Sequence, residues 1–365
     1  MADFPFKPQV VGWELTLRCN MRCLHCGSTA GQPRPDELTV EEGFSLIDQM
    51  VDLGTEIVTL SGGEPMTHPA WDQYAKRLID KGVKTYMISN GLLLEQNIER
   101  LRACGMRRLG VSIDGDEPMH DYIRNHPGTF KAAMRGIAAA HEAGIKVGAV
   151  THISGANKHL LEAMYNVMLQ NKLDFWQIQI AFSQGRMKDH PQYALSPEDL
   201  PMIVNFVHKC QEEGKLPVVA GDNFGYYEVP AMRAKPWKGC FAGRHLMGVD
   251  ADGSIKGCLS MPREFVEGNI RTESLRTIWE DPQRFRYTRY FSTDMLKGHC
   301  RNCPHGIPCR AGCTASAYSA SGDRFDNPYC AFRVQSGIGD KGWPDSTEKA
   351  EQPAESAQPT CPVES

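Results

Sequence analysis

Between residues 9 and 182 the sequence alternates two hydrophobic periods, and this alternation constrains the fold more than any other feature. Short β-like runs stand at 10–16 (VVGWELT), 56–61 (EIVTLS), 84–89 (KTYMIS), 108–113 (RLGVSI), 146–152 (KVGAVTH) and 175–181 (FWQIQIA). Helical patterns fill the gaps at 39–53, 69–81, 94–104, 129–143 and 157–171. Strands joined by a helix-length crossover run parallel, because the crossover returns the chain to the end of the sheet where it began. Repeated six times, the unit predicts an α/β protein built on a partial (β/α)6 barrel. The first helix has a marked start, since Thr39 followed by Glu42 makes a capping box. Gly54 and Gly82 stand where the first two helices should stop.

A parallel barrel carries its reactive groups at the C-terminal ends of its strands. The chemical motifs of this chain fall there. A cysteine loop, "RCNMRCLHCGS" at 18–28, follows the first run; "SGGEP" at 61–65, "SNG" at 89–91 and "SIDG" at 112–115 follow the next three. Thirteen of the 365 residues are cysteine, ten of them grouped at 19–26, 240–258, 300–313 and 330. The N-terminus, "MADFPFKPQ", has no basic start followed by an apolar stretch, and no apolar run reaches the roughly 20 residues of a membrane span. These features predict a cytoplasmic chain without membrane contact. In a reducing compartment so many cysteines point to metal or redox chemistry rather than disulfides. A formal charge of −4 predicts no general affinity for nucleic acid or anionic lipid.

The expected division is a barrel core at 1–182, a bridging region at 183–239 with one helical stretch near 197–214, and a small cysteine-rich domain at 240–333. That small domain has little core and should depend on metal for its fold. Residues 334–365, rich in Pro, Glu, Ser and Gln, read as a disordered tail.

Cys19, Cys23 and Cys26 follow C-x3-C-x2-C, with no fourth cysteine nearby. Thiolates suit zinc and iron–sulfur clusters alike, but a structural zinc site is closed by four ligands. Three ligands in one loop suit a cubane cluster with one iron left open. This loop, directly after a first strand, resembles the signature of the radical S-adenosylmethionine (SAM) superfamily. The resemblance implies that the three cysteines hold a [4Fe–4S] cluster whose open iron is chelated by the amino and carboxylate groups of SAM. It further implies a reductant of flavodoxin or ferredoxin type, whose electron cleaves SAM to a hydrogen-abstracting 5′-deoxyadenosyl radical. Residues 61–65 match the family's GGEP motif. There Gly62 and Gly63 let the backbone approach a ligand, and Glu64 offers a carboxylate to the SAM ammonium. By the same resemblance Asn90 meets the ribose, Ser112 and Arg124 hold the SAM carboxylate, and His25 lies beside the adenine. Asp114 is the nearest candidate for a general base, its alternative role being that of a turn residue. Thr151 and His152 end the fifth strand as pocket-lining or core residues.

The second set of cysteines reads Cys240-x12-Gly253-x4-Cys258, then Cys300-x2-Cys303-x5-Cys309-x3-Cys313, then Cys330. It resembles the seven-cysteine SPASM extension of radical SAM enzymes, with "DADGSIKGC" and "GNIRTESLRTIWED" as further landmarks. The resemblance implies two auxiliary iron–sulfur clusters, expected as [4Fe–4S]. Cys300, Cys303, Cys309 and Cys330 would hold the distal one, and Cys240, Cys258 and Cys313 the one nearer the active site. The near cluster is then one ligand short, which implies an open iron, a smaller cluster, or closure by a distant residue such as Cys210. Cys104 and Cys210 otherwise read as buried structural residues, and Cys361 lies in the tail.

SPASM extensions occur on enzymes that modify peptides and proteins. The expected function is therefore hydrogen abstraction from a ribosomally made precursor peptide, giving a crosslink, an excision or another oxidative change. Because the first strand begins near residue 9, a separate peptide-recognition protein is expected as partner. Leu259 occupies the position after the second SPASM cysteine where sulfatase-maturing enzymes carry Asp, which argues against that reaction. Heme-pathway enzymes share the architecture, so small-molecule or tetrapyrrole tailoring is the alternative. A non-catalytic electron-transfer protein is disfavoured by Glu64, Arg124 and the open cysteine loop.

Overall fold

Seven parallel strands lie side by side in chain order: β1 (Val10–Glu14), β2 (Ile57–Ser61), β3 (Lys84–Ser89), β4 (Arg108–Ser112), β5 (Lys146–Ile153), β6 (Phe175–Ile180) and β7 (Val218–Ala220). The computed structural model describes residues 4–221, 224–226, 239–339 and 343. Helices α1 (Val40–Asp52), α2 (Trp71–Asp80), α3 (Ile98–Ala103), α4 (Glu117–Arg124), α5 (Thr129–Glu142), α6 (Leu161–Gln170) and α7 (Leu200–Glu213) supply the crossovers. Each apolar strand is buried beneath them: Val58, Leu60, Met87, Val111 and Trp176 have no exposed surface. Fully burying a Leu or Met contributes about 1.5–3 kcal/mol. Strand β5 passes so close to Phe175 that a Cβ on Gly148 would stand 2.2 Å from the ring. Any larger residue there would have to push the Phe175 ring aside.

The sheet does not end at β1. On its free edge β8 (Leu246–Val249) pairs in parallel, with Val10 opposite Leu246 and Trp13 opposite Val249. Antiparallel β9 (Ser254–Lys256) and β10 (Gly268–Asn269) follow, so the cysteine-rich segment begins as a continuation of the barrel sheet. Beyond it, among the described residues, come short helices, α8 (Leu275–Glu280), α9 (Arg286–Arg289), α10 (Gly306–Cys309), α11 (Thr314–Ser321) and α12 (Ala331–Gln335).

The six strand patterns are all present, within one or two residues of the expected ends. Thr39 caps α1 as expected, its Oγ1 accepting from the Glu42 N–H (3.2 Å) while Glu42 takes the Thr39 N–H (2.8 Å). Helix α4 was not anticipated, because eight residues barely complete two turns of a hydrophobic period. Its start was nonetheless written in Asp116, which accepts from Met119 N, and in Pro118. Strands β7 to β10 have two to four residues each, too few for an alternation to show. Residues 183–239 contribute α7 and β7 to the barrel. Within the expected tail, Trp343 stacks on Phe332 with ring centroids 5.4 Å apart. Most of that tail, including Cys361, lies outside the described residues. No helix among the described residues is long and apolar enough to cross a membrane.

Candidate active site

The C-terminal strand ends open into one cavity of about 900 Å³. Cys19, Cys23 and Cys26 line it from the loop after β1, Gly62 and Gly63 from the turn after β2, and Asn90 from the end of β3. Ser112 of β4, Arg124 at the end of α4, His25 and His152 complete that side. The same cavity is lined by Cys240, Cys258 and Cys313. Cys300, Cys303, Cys309 and Cys330 instead surround a separate, small cavity that Tyr226 and Trp343 help to close. Among the described residues no disulfide joins any cysteine. Cys210 is buried in α7, lines neither cavity, and has Glu213, Glu162, Lys209 and Lys215 as charged neighbours. Cys104 is also buried, its thiol donating to Leu101 O.

The cysteine loop is held at both ends. Cys19 N donates to Gly31 O (3.0 Å) and Gly31 N to Leu17 O (2.9 Å), closing it like a clasp. The Glu37 carboxylate gathers Leu17 N (2.7 Å), Arg34 N (3.0 Å) and Thr16 Oγ1 (2.9 Å). Between the clasp ends Asn20 accepts from Asn90 Nδ2 at 2.7 Å, tying the loop to β3. Ala30 N donates to Cys26 Sγ at 3.4 Å, a bond of the kind that tunes a cluster's potential.

Two acidic residues of the expected set are sealed from the cavity. Glu64 is wholly buried and does not line the cavity. Its carboxylate accepts Asn90 N (2.8 Å), Ser89 Oγ (3.0 Å) and Met66 N (3.2 Å), so it joins the ends of β2 and β3. Burial pushes its pKa up to about 7, against the pull of those N–H groups. Of the motif, Ser61, Gly62 and Gly63 line the cavity. Asp114 is likewise sealed from the cavity, with no exposed surface. Arg124 Nη2 lies 2.5 Å and His25 Nε2 3.1 Å from its Oδ2, and His152 N donates to Oδ1 at 3.0 Å. Burial alone would raise its pKa, but Arg124 and His25 outweigh it and hold the carboxyl well below the usual range. A permanently charged, inaccessible carboxylate is an anchor for its neighbours and a poor general base.

Thr151 belongs to the core, bonded to Ile113 O and Trp176 Nε1, whereas His152 faces the cavity. Gln177, Gln179, Arg186 and Lys188 also line the cavity and had drawn no notice. The alternation of "FWQIQIA" was a signal for the two glutamines, since every second residue of a barrel strand faces inward.

The donor set fits an iron–sulfur cluster with SAM. Burial raises the Cys19 thiol to about 11 and pushes Cys23, Cys258 and Cys313 upward as well. Thiolates form in such surroundings only against a bound cation. Beside them, Arg124 Nε and Asn20 Nδ2 are buried donors with no partner among the described residues, as a site for an acceptor-bearing ligand requires.

Comparison with known proteins agrees. The model of the radical SAM superfamily matches residues 13–167, and that of the SPASM iron–sulfur cluster-binding domain matches residues 240–304. An AdoMet-dependent heme synthase of Methanosarcina barkeri (strain Fusaro) is 32% identical over 345 residues, covering 89% of this chain and 97% of its own. The chain belongs to the radical SAM superfamily. It is an enzyme of the SPASM-bearing kind, with SAM, a [4Fe–4S] cluster and auxiliary iron–sulfur clusters as cofactors. An Fe-coproporphyrin III synthase of the same organism is 28% identical over 296 residues, covering 75% of this chain and 74% of its own. The solved structure of Streptococcus suis SuiB bound to S-adenosylmethionine superposes with a TM-score of 0.71 at 16% identity, covering 88% of this chain and 76% of that one. At that identity the likeness shows the fold alone. The expectation of a precursor-peptide substrate is corrected by the two methanogen enzymes, whose names both concern tetrapyrroles. The SPASM pattern misled because it marks iron–sulfur ligands and not a substrate, and relatives of this chain include both heme synthases and peptide maturases.

Proposed function

We propose that this enzyme tailors a tetrapyrrole. The observation that carries the reading is the 32% identity to a heme synthase along nearly the whole of both chains. When bound to Cys19, Cys23 and Cys26, the cluster with its SAM supplies a 5′-deoxyadenosyl radical that takes a hydrogen atom from the substrate. A flavodoxin- or ferredoxin-type protein is the reductant. Arg124, clamped by Asp114, presents its unpartnered Nε to the SAM carboxylate. Gly62 and Gly63 offer backbone at the ammonium end, and Asn90 and Ser112 polar groups along the wall. Cys240, Cys258 and Cys313 hold the near auxiliary cluster on the same cavity, and Cys300, Cys303, Cys309 and Cys330 the distal one. The substrate side of the cavity has apolar walls in Phe182, Val219, Leu259 and Met261, suited to a flat macrocycle. Lys188, exposed at its edge and without an ion pair among the described residues, suits a peripheral carboxylate.

The test is anaerobic turnover of the reconstituted chain with SAM, dithionite and coproporphyrin III, iron-loaded and metal-free. Release of 5′-deoxyadenosine should rise above the substrate-free rate, with a mass change in the tetrapyrrole. If neither macrocycle is altered nor stimulates release, the tetrapyrrole reading fails.

A further inference from the structure

The chain leaving β6 lies down directly on the cysteine loop. Arg186 Nε donates to Cys23 O at 2.9 Å, its Nη1 to Ala30 O at 2.8 Å, and its backbone N–H to Cys26 O at 3.0 Å. Three carbonyls spread over eight residues of the loop thus converge on one arginine. The approach is close enough that a Cβ on Gly185 would stand 2.3 Å from Cys26 O and 2.4 Å from Gly27 O, at a φ of +52°. On the other side, Gln184 Nε2 donates to Ser260 O at 3.1 Å, two residues beyond Cys258. Residues 184–186 therefore bridge the loop of Cys23 and Cys26 and the segment that follows Cys258.

A loop without regular structure has carbonyls that neither helix nor sheet satisfies, so its shape is set by whatever donors reach it. A guanidinium suits the task because its N–H groups diverge in a rigid plane and span two acceptors at once. An ammonium meets them one at a time. Cys23 and Cys26 are covalently continuous with two of the three carbonyls, so fixing these carbonyls fixes where the sulfurs can go.

We propose that Arg186 is a positioning residue for the radical SAM cluster: seated on Gly185, it sets the spacing of Cys23 and Cys26, and Gln184 ties that setting to the loop of Cys258. The inference rests on the assignment of the cluster to these cysteines and is independent of the tetrapyrrole substrate. Outer-shell partners of metal ligands typically matter about 10- to 100-fold in affinity or activity.

The experiment uses the full-length chain, reconstituted anaerobically and reduced, and follows the electron paramagnetic resonance signal as SAM is added. Only a cluster with an open iron changes its signal with SAM. At equal iron content, Arg186→Ala should need about 10- to 100-fold more SAM for the half-maximal change. Iron loss to a chelator should be faster in step with it. Arg186→Lys, which keeps the charge but not the fork, should fall between Arg186→Ala and wild type. Circular dichroism and melting of the apo-chain control for folding, and if Arg186→Ala does not fold, Arg186→Lys decides. Variants that titrate with SAM and release iron as wild type does would overturn the proposal. A wild-type chain with no SAM-responsive signal would instead overturn the cluster assignment on which it rests.

Discussion

At the scale of single residues, burial decides which acid does what. Asp114 has no exposed surface and lies between the Arg124 guanidinium and the His25 ring, so its charge is spent on these neighbours. Replacing it with Asn leaves the Arg124 guanidinium buried without a counter-charge. Breaking a buried pair in this way costs roughly 3–5 kcal/mol. Asp114→Asn should therefore lower the chain's denaturant midpoint and weaken SAM binding by calorimetry. A variant with wild-type SAM affinity that fails only in turnover would restore Asp114 as a proton carrier. Glu64 makes a pH prediction. Its pKa is raised from 4.5 to about 7, so the folded state holds the proton more tightly than the unfolded one. Its contribution is full below pH ~4.5 and is lost as pH climbs through ~7. The stability of wild type relative to Glu64→Gln, which does not titrate, should drop between pH 4.5 and 8 by up to about 3 kcal/mol. A pH-independent difference would refute the shift. The motif "GGEP" was legible from its position after a strand, but the direction of its carboxylate was not. That depends on Ser89 and Asn90, 25 and 26 residues away, arriving beside it.

Elements long enough to show a period were legible, and short ones were not. The six strands and the helix carrying Thr39 could be read because each repeats its pattern several times. Helix α4 and strands β7 to β10 are specified by pairing with partners already in place, not by their own periodicity. The cysteine loop was visible as a ligand set, yet its clasp to Gly31 and its cover by Arg186 are tertiary contacts that no local pattern announces. Strand β8 carries the consequence. It brings the cysteine-rich segment alongside β1, and a Cβ on its Gly248 would stand 2.5 Å from both Cys258 C and Leu259 N. Overpacking of this kind costs typically about 1–3 kcal/mol and shifts the backbone it meets. Gly248→Ala should thus displace Cys258 and deplete the near auxiliary centre, seen as lower iron content while the SAM-responsive signal persists. Full iron content with an unchanged melting temperature would show that the Cys258 loop can move aside without loss.

For the whole molecule, the continuous sheet from β10 through β1 to β7 means that the two cysteine sets are built on one scaffold, but not with equal support. The barrel cavity rests on strand ends backed by a large core. The distal quartet rests on α10, four residues long, on α12, five residues long, and on turns such as Asn327 N donating to Cys300 Sγ at 3.4 Å. Three of its thiols are also costly to ionise, since burial pushes Cys300 up to about 12 and raises Cys303 and Cys309 as well. A metal that displaces those protons supplies binding energy where apolar burial supplies little, so folding there is coupled to loading. Stripping iron with a chelator should then raise amide hydrogen exchange mainly over residues 297–333. Strands β2 to β5 should stay protected, because their cover of α1, α2 and α5 does not involve metal. An even loss of protection across both regions would mean that metal and barrel fold as a single unit. No change at 297–333 would mean that the short elements there hold without it.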